Sequence, residues 1–409
     1  MSLTKYTNGF ICDDGRLTQG SVYVDNATQK IVAAPTSDAK VTKVVDLHGE
    51  ILAPGYIDIQ NNGIYGVNFS NLTSDASDAD TRRFERDYHQ AMKQYLTTGV
   101  TSICPTVTSN FPKVYPKVLP MYHRNRTSDE CDSLGAHLEG PFINREKKGC
   151  HPVETFVDAA EGKTKLEAIY GDTMDHVCII TAAPEIPGVM DLIPTIKQAG
   201  VVYSIGHTMA DHATATNAVR KGASMVTHMY NAMPQPHHRN AGVVGLMTTP
   251  DIETPYYGLI CDGIHVDPSM ARLAYAANPD KVVLVTDAMH LIGLDDGAYQ
   301  WDGQVVIKDG YRLTLKGTDT LAGSATTLPA CVRNLKQWAN LSLAQAVKTC
   351  TNNAADSIGV SDSKGYLRPG CDADFVVLDH QGYVKRVFKL GNEVASSDVQ
   401  PQAQVRAHL

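Results

Sequence analysis

The residues of this chain best suited to chemistry are histidines and carboxylates that stand at the ends of short apolar runs. Asp58 and Gln60 close the run YIDIQ, His137 and Glu139 close LGAHLE, His207 closes VVYSIGH, and His228 stands near the end of SMVTHM. Asp262 and His265 come at and just after the end of YGLICDG, and Asp287 near the end of VVLVTDA. Glu139, His207 and His228 make a set of one carboxylate and two imidazoles. Three protein ligands of these types, with water in the fourth position, are the open arrangement of a catalytic zinc site. Such an ion polarises a carbonyl and lowers the pKa of its bound water to about 7. Asp287 adds a carboxylate able to take the water's proton and later deliver it to a departing amine. Any one of these histidines alone reads as a hydrogen-bonded core residue. Their shared placement at run ends favours the chemical reading.

Something must bring these distant residues together. The runs at 56–60, 101–107, 134–139, 177–182, 201–207, 224–229, 257–263 and 282–288 have strand length, and longer stretches with helical spacing separate them. Two of those stretches, TRRFERDYHQAMKQYLTTG and ATATNAVRKG, end at a glycine able to cap a helix. Eight strands alternating with helices predict an α/β fold, a (β/α)8 TIM-like barrel, whose C-terminal strand ends share the face where sites are built. A doubly wound open sheet is the alternative; against it, no G-x-G-x-x-G follows the first strand. Short strand patterns broken by turn residues, GSVYVD and KIVAA early and ADFVVLD and YVKRVFKLGNEVA late, predict a small β-sandwich domain built from both termini. The expected partition is 1–52 and 361–409 for that domain and 53–360 for the barrel.

Composition narrows the function classes. Of 409 residues 43% are hydrophobic and 20% charged, which supports large cores and argues against disorder. The formal charge of -8, with no long basic run, argues against nucleic acid or an anionic membrane as partner. Nine cysteines, an odd number without C-x-x-C spacing, read as thiols of a reducing compartment. The N-terminus turns polar too early for a secretory signal, and no apolar stretch approaches the roughly 18 residues of a membrane span. A cytoplasmic location is expected.

Ten motifs carry a resemblance: APGYIDIQNNG, GVTSICPT, AHLEGPFI, KKGCHP, SIGHT, THMYNAM, HHRNAGVVG, DGIHVDP, LVTDAM and TLAGSATTL, in that order. They resemble the amidohydrolase superfamily and, within it, the N-acetylglucosamine-6-phosphate deacetylase family, over about residues 50–370. The resemblance implies hydrolysis of the acetamide of N-acetyl-D-glucosamine 6-phosphate, in amino-sugar catabolism and recycling. Glu139, His207 and His228 match the family's metal ligands and Asp287 its catalytic aspartate. Where the superfamily often carries His-x-His for a second metal, this chain reads Gln60-Asn61-Asn62. Amides are poor zinc ligands beside imidazole, so one divalent metal per chain is expected, zinc before cobalt, nickel or iron, with Gln60 and Asn62 a remnant of a second site. Asn61 stands where relatives carry an apolar residue, a departure without a sequence explanation.

The resemblance also implies that Asn231, Ala232 and Arg239 hold the sugar phosphate, a task the planar guanidinium fork suits. Arg239 would reach the neighbouring subunit's site in a homodimer. Cys150, His151 and His265 match positions near the sugar and acetyl group, and backbone at Leu321, Ala322 and Gly323 lines the pocket. His237 and His238 read as surface histidines. Cys150 is no nucleophile candidate, since no third group activates it with His151. Two rivals remain: a deaminase, dihydropyrimidinase or aminoacylase on the same barrel, and a barrel without catalysis that serves assembly or regulation. Within the first, the dihydropyrimidinase branch usually bridges two metals with a carboxylated lysine at a strand end, which the runs lack; the second should have damaged ligands.

Overall fold

The structure is a computed structural model that describes residues 2–35, 40–73, 75–301 and 304–396. Its centre is a ring of parallel strands: β1 (Tyr56–Asn61), β2 (Val100–Thr108), β3 (Ala136–Glu139), β4 (Val177–Ala182), β5 (Val202–Ile205), β6 (Met225–Val226), β7 (Tyr256–Leu259) and β8 (Val282–Leu284). Each is hydrogen-bonded to the next in chain order. The ring closes through irregular backbone: Asp287 N–H donates to the Gln60 carbonyl at 2.9 Å and Asn62 N–H to the Ala288 carbonyl at 2.8 Å. All eight predicted strand runs are therefore barrel strands.

β1 and β4 are buried along their whole length, as parallel strands covered on both faces must be. Alternation sorts their side chains. Tyr56, Ile103, Val282 and Leu284 join the core shared with the helices, whereas Ile57, Ile59, Cys104, Val283 and Val285 form a separate cluster that fills the barrel. The first long helix, α1 (Asp78–Leu96), buries Tyr88, Ala91, Met92, Tyr95 and Leu96, one stripe of the 3.6-residue period. It starts three residues before the predicted 81 because Ser77 and Asp80 form a capping box. Its C-cap is Thr97, and Gly99, at φ 99°, turns the chain into β2. The second predicted helix is α2 (His212–Lys221), capped by Asp211 and ended by Gly222.

Both chain ends meet in one eight-stranded sheet. Ile51–Pro54 joins the halves, running parallel to Ser2–Asp13 and antiparallel to Phe375–Leu378. Leu52, Phe375 and Val377 enter the core of this domain with Tyr6 and Phe388, while Ile51, Ala53, Val376 and Leu378 enter the barrel-side core. The joining strands thus bind the two bodies with their two faces. The turn signal LGNE is a hairpin with Leu390 at φ 49° and Gly391 at φ 79°, a pair of positive φ values that matches strand twist. Residues 397–409, assigned by sequence to this domain, lie outside the described residues.

One feature departs from a plain barrel. Between β8 and the following helix, Gly297–Trp301, Gln304–Asp309, Arg312–Leu315 and Leu321–Ser324 form a four-stranded antiparallel sheet. Its last strand bridges Ser324 to Ala288, so the insertion leans on the strand end that carries Asp287.

Candidate active site at the barrel mouth

Glu139 is the last residue of β3; His207, His228 and Asp287 lie two or three residues past the ends of β5, β6 and β8. The latter three have φ of 48°, 28° and 46°, a left-handed conformation that turns each side chain off its strand. For a non-glycine residue this costs on the order of 1 kcal/mol or more and persists only where surroundings enforce it. Glu139 Oε1 lies 3.0 Å from His207 Nε2 and 3.1 Å from His228 Nε2, and the two nitrogens are 3.1 Å apart. All three residues are buried.

The donor set fits a metal ion. His207 donates its Nδ1–H to the Lys147 carbonyl at 2.6 Å, which leaves the Nε2 lone pair facing the Glu139 carboxylate. Acceptors so close repel one another unless a cation lies among them. Ligand atoms about 2.0–2.2 Å from a tetrahedral ion stand roughly 3.3–3.6 Å apart, close to this spacing. Burial works against the charge of Glu139, yet the two imidazoles more than reverse it and hold the carboxyl well below the ordinary range.

Asp287 faces this trio. Its Oδ1 accepts a hydrogen bond from Asn62 Nδ2 at 2.7 Å, and burial, with Glu139 beside it, pushes its pKa up to about 6. Gln60 Nε2 donates to Glu139 Oε1 at 3.3 Å. Both first-strand amides are therefore spent as donors on the two carboxylates. His151 Nδ1 accepts from Ser109 Oγ at 2.8 Å and from Ser109 N–H at 3.3 Å, so Nε2 carries the proton, and burial drives its pKa down to about 3. This neutral ring lies 4.5 Å from the ring of His207, centroid to centroid. His265 donates Nδ1–H to Asp262 Oδ2 at 2.6 Å, while the backbone N–H groups of Ile264 and His265 hold Asp262 Oδ1.

Other predicted residues lie further out. Ala232, at φ 50°, accepts at its carbonyl from Thr208 N–H, which joins the Asn231–Ala232 turn to the residue after His207. Arg239 is exposed on the same loop, its Nη1 2.8 Å from His238 Nε2. Cys150 packs against the cluster of Met289, Leu291 and Ala322, and Leu321, Ala322 and Gly323 belong to the last inserted strand. A Cβ on Gly323 would meet the Met289 side chain at 2.6 Å, so the close approach requires glycine. His137 takes the bland reading: Nδ1–H bonds the Ile59 carbonyl and Nε2 accepts from Thr181, and burial lowers its pKa.

The structure also explains Asn61. Its amide donates to Asp58, and its own Oδ1 accepts the Gly63 N–H. Asp58 further accepts from Tyr95 OH at 3.0 Å, Thr286 Oγ1 at 2.7 Å and Thr286 N–H at 3.2 Å. This buried network includes Thr286, the residue before Asp287. Glu185, which sequence spacing does not mark at all, holds the turn after His207.

A barrel whose mouth gathers a carboxylate–imidazole trio, a buried carboxylate beside it and a neutral imidazole donor has the parts of a metal-assisted hydrolase. A sequence model of the amidohydrolase family matches residues 51–394. The N-acetylglucosamine-6-phosphate deacetylase of Caenorhabditis elegans is 39% identical over 357 residues, covering 86% of this chain and 84% of its own. The crystal structure of the enzyme of that name from Pasteurella multocida superposes with a TM-score of 0.82 at 29% identity, over 96% of this chain and 99% of that one. A Mycobacterium smegmatis variant solved with N-acetyl-D-glucosamine-6-phosphate gives 0.76 at 26%, over 96% and 99%. The chain belongs to the amidohydrolase family, in the branch of these deacetylases.

Proposed function

We propose that this chain hydrolyses N-acetyl-D-glucosamine 6-phosphate to D-glucosamine 6-phosphate and acetate, in amino-sugar catabolism and recycling. The observation that carries the reading is the convergence of Glu139, His207, His228 and Asp287 in a chain whose relatives bear that enzyme's name. Glu139, His207 and His228 hold one divalent ion, zinc before cobalt, nickel or iron, which when bound supplies Lewis acidity and eases deprotonation of water. The use of the Gln60 and Asn62 amides as hydrogen-bond donors supports one ion over two.

Asp287 takes a proton from the attacking water as its oxygen bonds the acetyl carbon. It then gives that proton to the sugar nitrogen as the C–N bond breaks, releasing amine and acetate. Asn62 keeps the Asp287 carboxylate aimed during both transfers. His151, fixed by Ser109 as the Nε2–H tautomer, offers a donor to the developing oxyanion. His265, held by Asp262, contacts the sugar, and Cys150 with the backbone of Leu321, Ala322 and Gly323 lines the acetyl and sugar pocket.

Asn231, Ala232 and Arg239 take the phosphate. Arg239 stands exposed in the single chain, which supports its reaching a second subunit's site in a homodimer. The partition into 1–52 with 361–409 and a catalytic 53–360 is supported by the meeting of Ser2–Asp13 and Phe375–Leu378 in one sheet, with the joining strand Ile51–Pro54 crossing the boundary. No helix among the described residues is long and apolar enough to cross a membrane, and eight of the nine cysteines are buried thiols; both support a cytoplasmic enzyme.

The test combines metal analysis with acetate release from the phosphorylated and unphosphorylated sugar. About one ion per chain and turnover requiring the phosphate are expected. Metal without acetate from either sugar would move the assignment to another amidohydrolase reaction.

A further inference from the structure

His207 depends on a strained turn, and the turn has its own anchor. Glu185, three residues past β4, accepts at Oε2 from Thr208 Oγ1 at 2.5 Å and at Oε1 from Met209 N–H at 2.6 Å and Asn144 Nδ2 at 3.0 Å. Asn144 in turn donates its N–H to the His207 carbonyl at 2.8 Å, and its Oδ1 caps the short 3-10 turn Arg145–Lys147. That turn ends in the Lys147 carbonyl, which accepts the His207 Nδ1–H. One carboxylate thus grips the chain on both sides of the imidazole: the residues after it directly, and the acceptor of its Nδ1–H through Asn144. Thr208 carries the grip further, because its N–H donates to the Ala232 carbonyl at 3.1 Å.

We infer that Glu185 is a positioning residue: it holds the His207 turn so that Nε2 stays on Glu139 and His228, and thereby sets the affinity of that trio for a divalent ion. This rests on the metal reading proposed above. A carboxylate suits the task because it accepts several hydrogen bonds at once, and charged acceptors make stronger bonds than neutral ones. Supports of this kind typically cost about 10–100-fold in metal affinity when removed.

The experiment measures zinc affinity by competition with a chromogenic chelator, and the visible spectrum of the cobalt-loaded protein, for the unaltered chain and Glu185→Gln. The glutamine keeps the volume but turns one acceptor into a donor. Zinc affinity about 10–100-fold weaker and a changed cobalt spectrum are expected, while the metal-free proteins melt together. A purely structural role would move the melt and leave both metal readouts alone, and that result overturns the inference. Should Glu185→Gln not fold, Thr208→Val and Asn144→Ala each remove one arm of the grip; weakened zinc binding supports the inference, and unchanged binding in both overturns it. An unaltered chain that takes up neither zinc nor cobalt overturns the metal reading and this inference with it. Uptake by unaltered chain and variants alike overturns the inference alone.

Discussion

Asp132, Asp372 and Asp374 are gathered as closely as Glu139, His207 and His228: in each trio the candidate ligand atoms lie within 4.8 Å of one another, and all six residues are buried. Their surroundings differ. The aspartates, between the barrel and the terminal sheet, receive cations from the chain itself. Lys389 Nζ lies 2.7 Å from Asp132 Oδ2 and 2.8 Å from Asp374 Oδ2. Lys364 Nζ lies 2.6 Å from Asp374 and 3.0 Å from Asp372, and also bonds Asp132, while Arg126 adds a bond to Asp372 at 2.9 Å. At the barrel mouth no lysine or arginine bonds Glu139 or Asp287 among the described residues; their neighbours are amides and imidazoles, and the His207 Nε2 lone pair faces Glu139. Proximity of carboxylates therefore does not define a metal site. The first cluster is complete as a tie between two bodies; the second has no lysine or arginine of the chain against its carboxylates among the described residues.

The largest effect should separate the two by chemistry. Asp287→Asn is expected to lower kcat by about 10²–10⁴-fold, the usual worth of a positioned proton-transfer group, with zinc uptake and melting temperature retained. Asp374→Asn should do the reverse, with stability lost and kcat of the folded fraction kept. A near-normal rate for Asp287→Asn would remove its assigned role.

Lys389→Met cuts into the other cluster. It leaves buried carboxylates short of a counter-charge, which costs about 3–5 kcal/mol, read as a lower urea midpoint. Turnover per folded molecule should hold. Equal urea midpoints would mean that water or Lys364 already satisfies Asp132 and Asp374.

Acid should act on both regions, for different reasons. Burial pushes the Asp374 carboxyl upward, but Lys364 and Lys389 overcome this and hold it below its ordinary value. A depressed folded pKa contributes stability above the unfolded value of about 3.9, and that stability is lost as pH falls below it toward the folded value. Urea midpoints taken from pH 5 downward should therefore fall less steeply in Lys389→Met. Activity should fail earlier. Asp287 works as a carboxylate with a pKa of about 6, and a bound cation draws that value down. The kcat/KM of the loaded enzyme should thus drop about tenfold per pH unit below an inflection at or under 6. An inflection well above 6 would assign the base to another group.

Much of this was legible in the sequence. The eight strands show because parallel strands buried on both faces are short apolar runs, and the site residues show because each breaks its run at the end that faces the mouth. The Asp132 cluster was not legible: Lys364, Asp372 and Asp374 look like ordinary loop charges, and only pairing of Phe375–Leu378 with Ile51–Pro54 brings them near Asp132. Glu185 and Asn61 escaped for a related reason, since they act through other residues. The inserted sheet at 297–324 did carry a signal, Asp309-Gly310 between alternating runs, which is hairpin chemistry. The helix start at Ser77 was likewise written in its capping pair.

The smallest predicted effect tests how far support for Asp287 extends. Asp58 is fully buried, and burial raises its pKa against the donors that stabilise its charge: Thr286 first, then Asn61, then Tyr95. Tyr95→Phe removes one of those donors without changing volume, so the carboxylate keeps Thr286 and Asn61. The loss should be about 1 kcal/mol in urea unfolding, the net worth of one hydrogen bond to a group that retains others. Because Thr286 immediately precedes Asp287, kcat should follow by a small factor, with KM and zinc affinity unchanged. A Tyr95→Phe protein as impaired as Asp287→Asn would mean that the tyrosine, and not Thr286, holds the strand end in place.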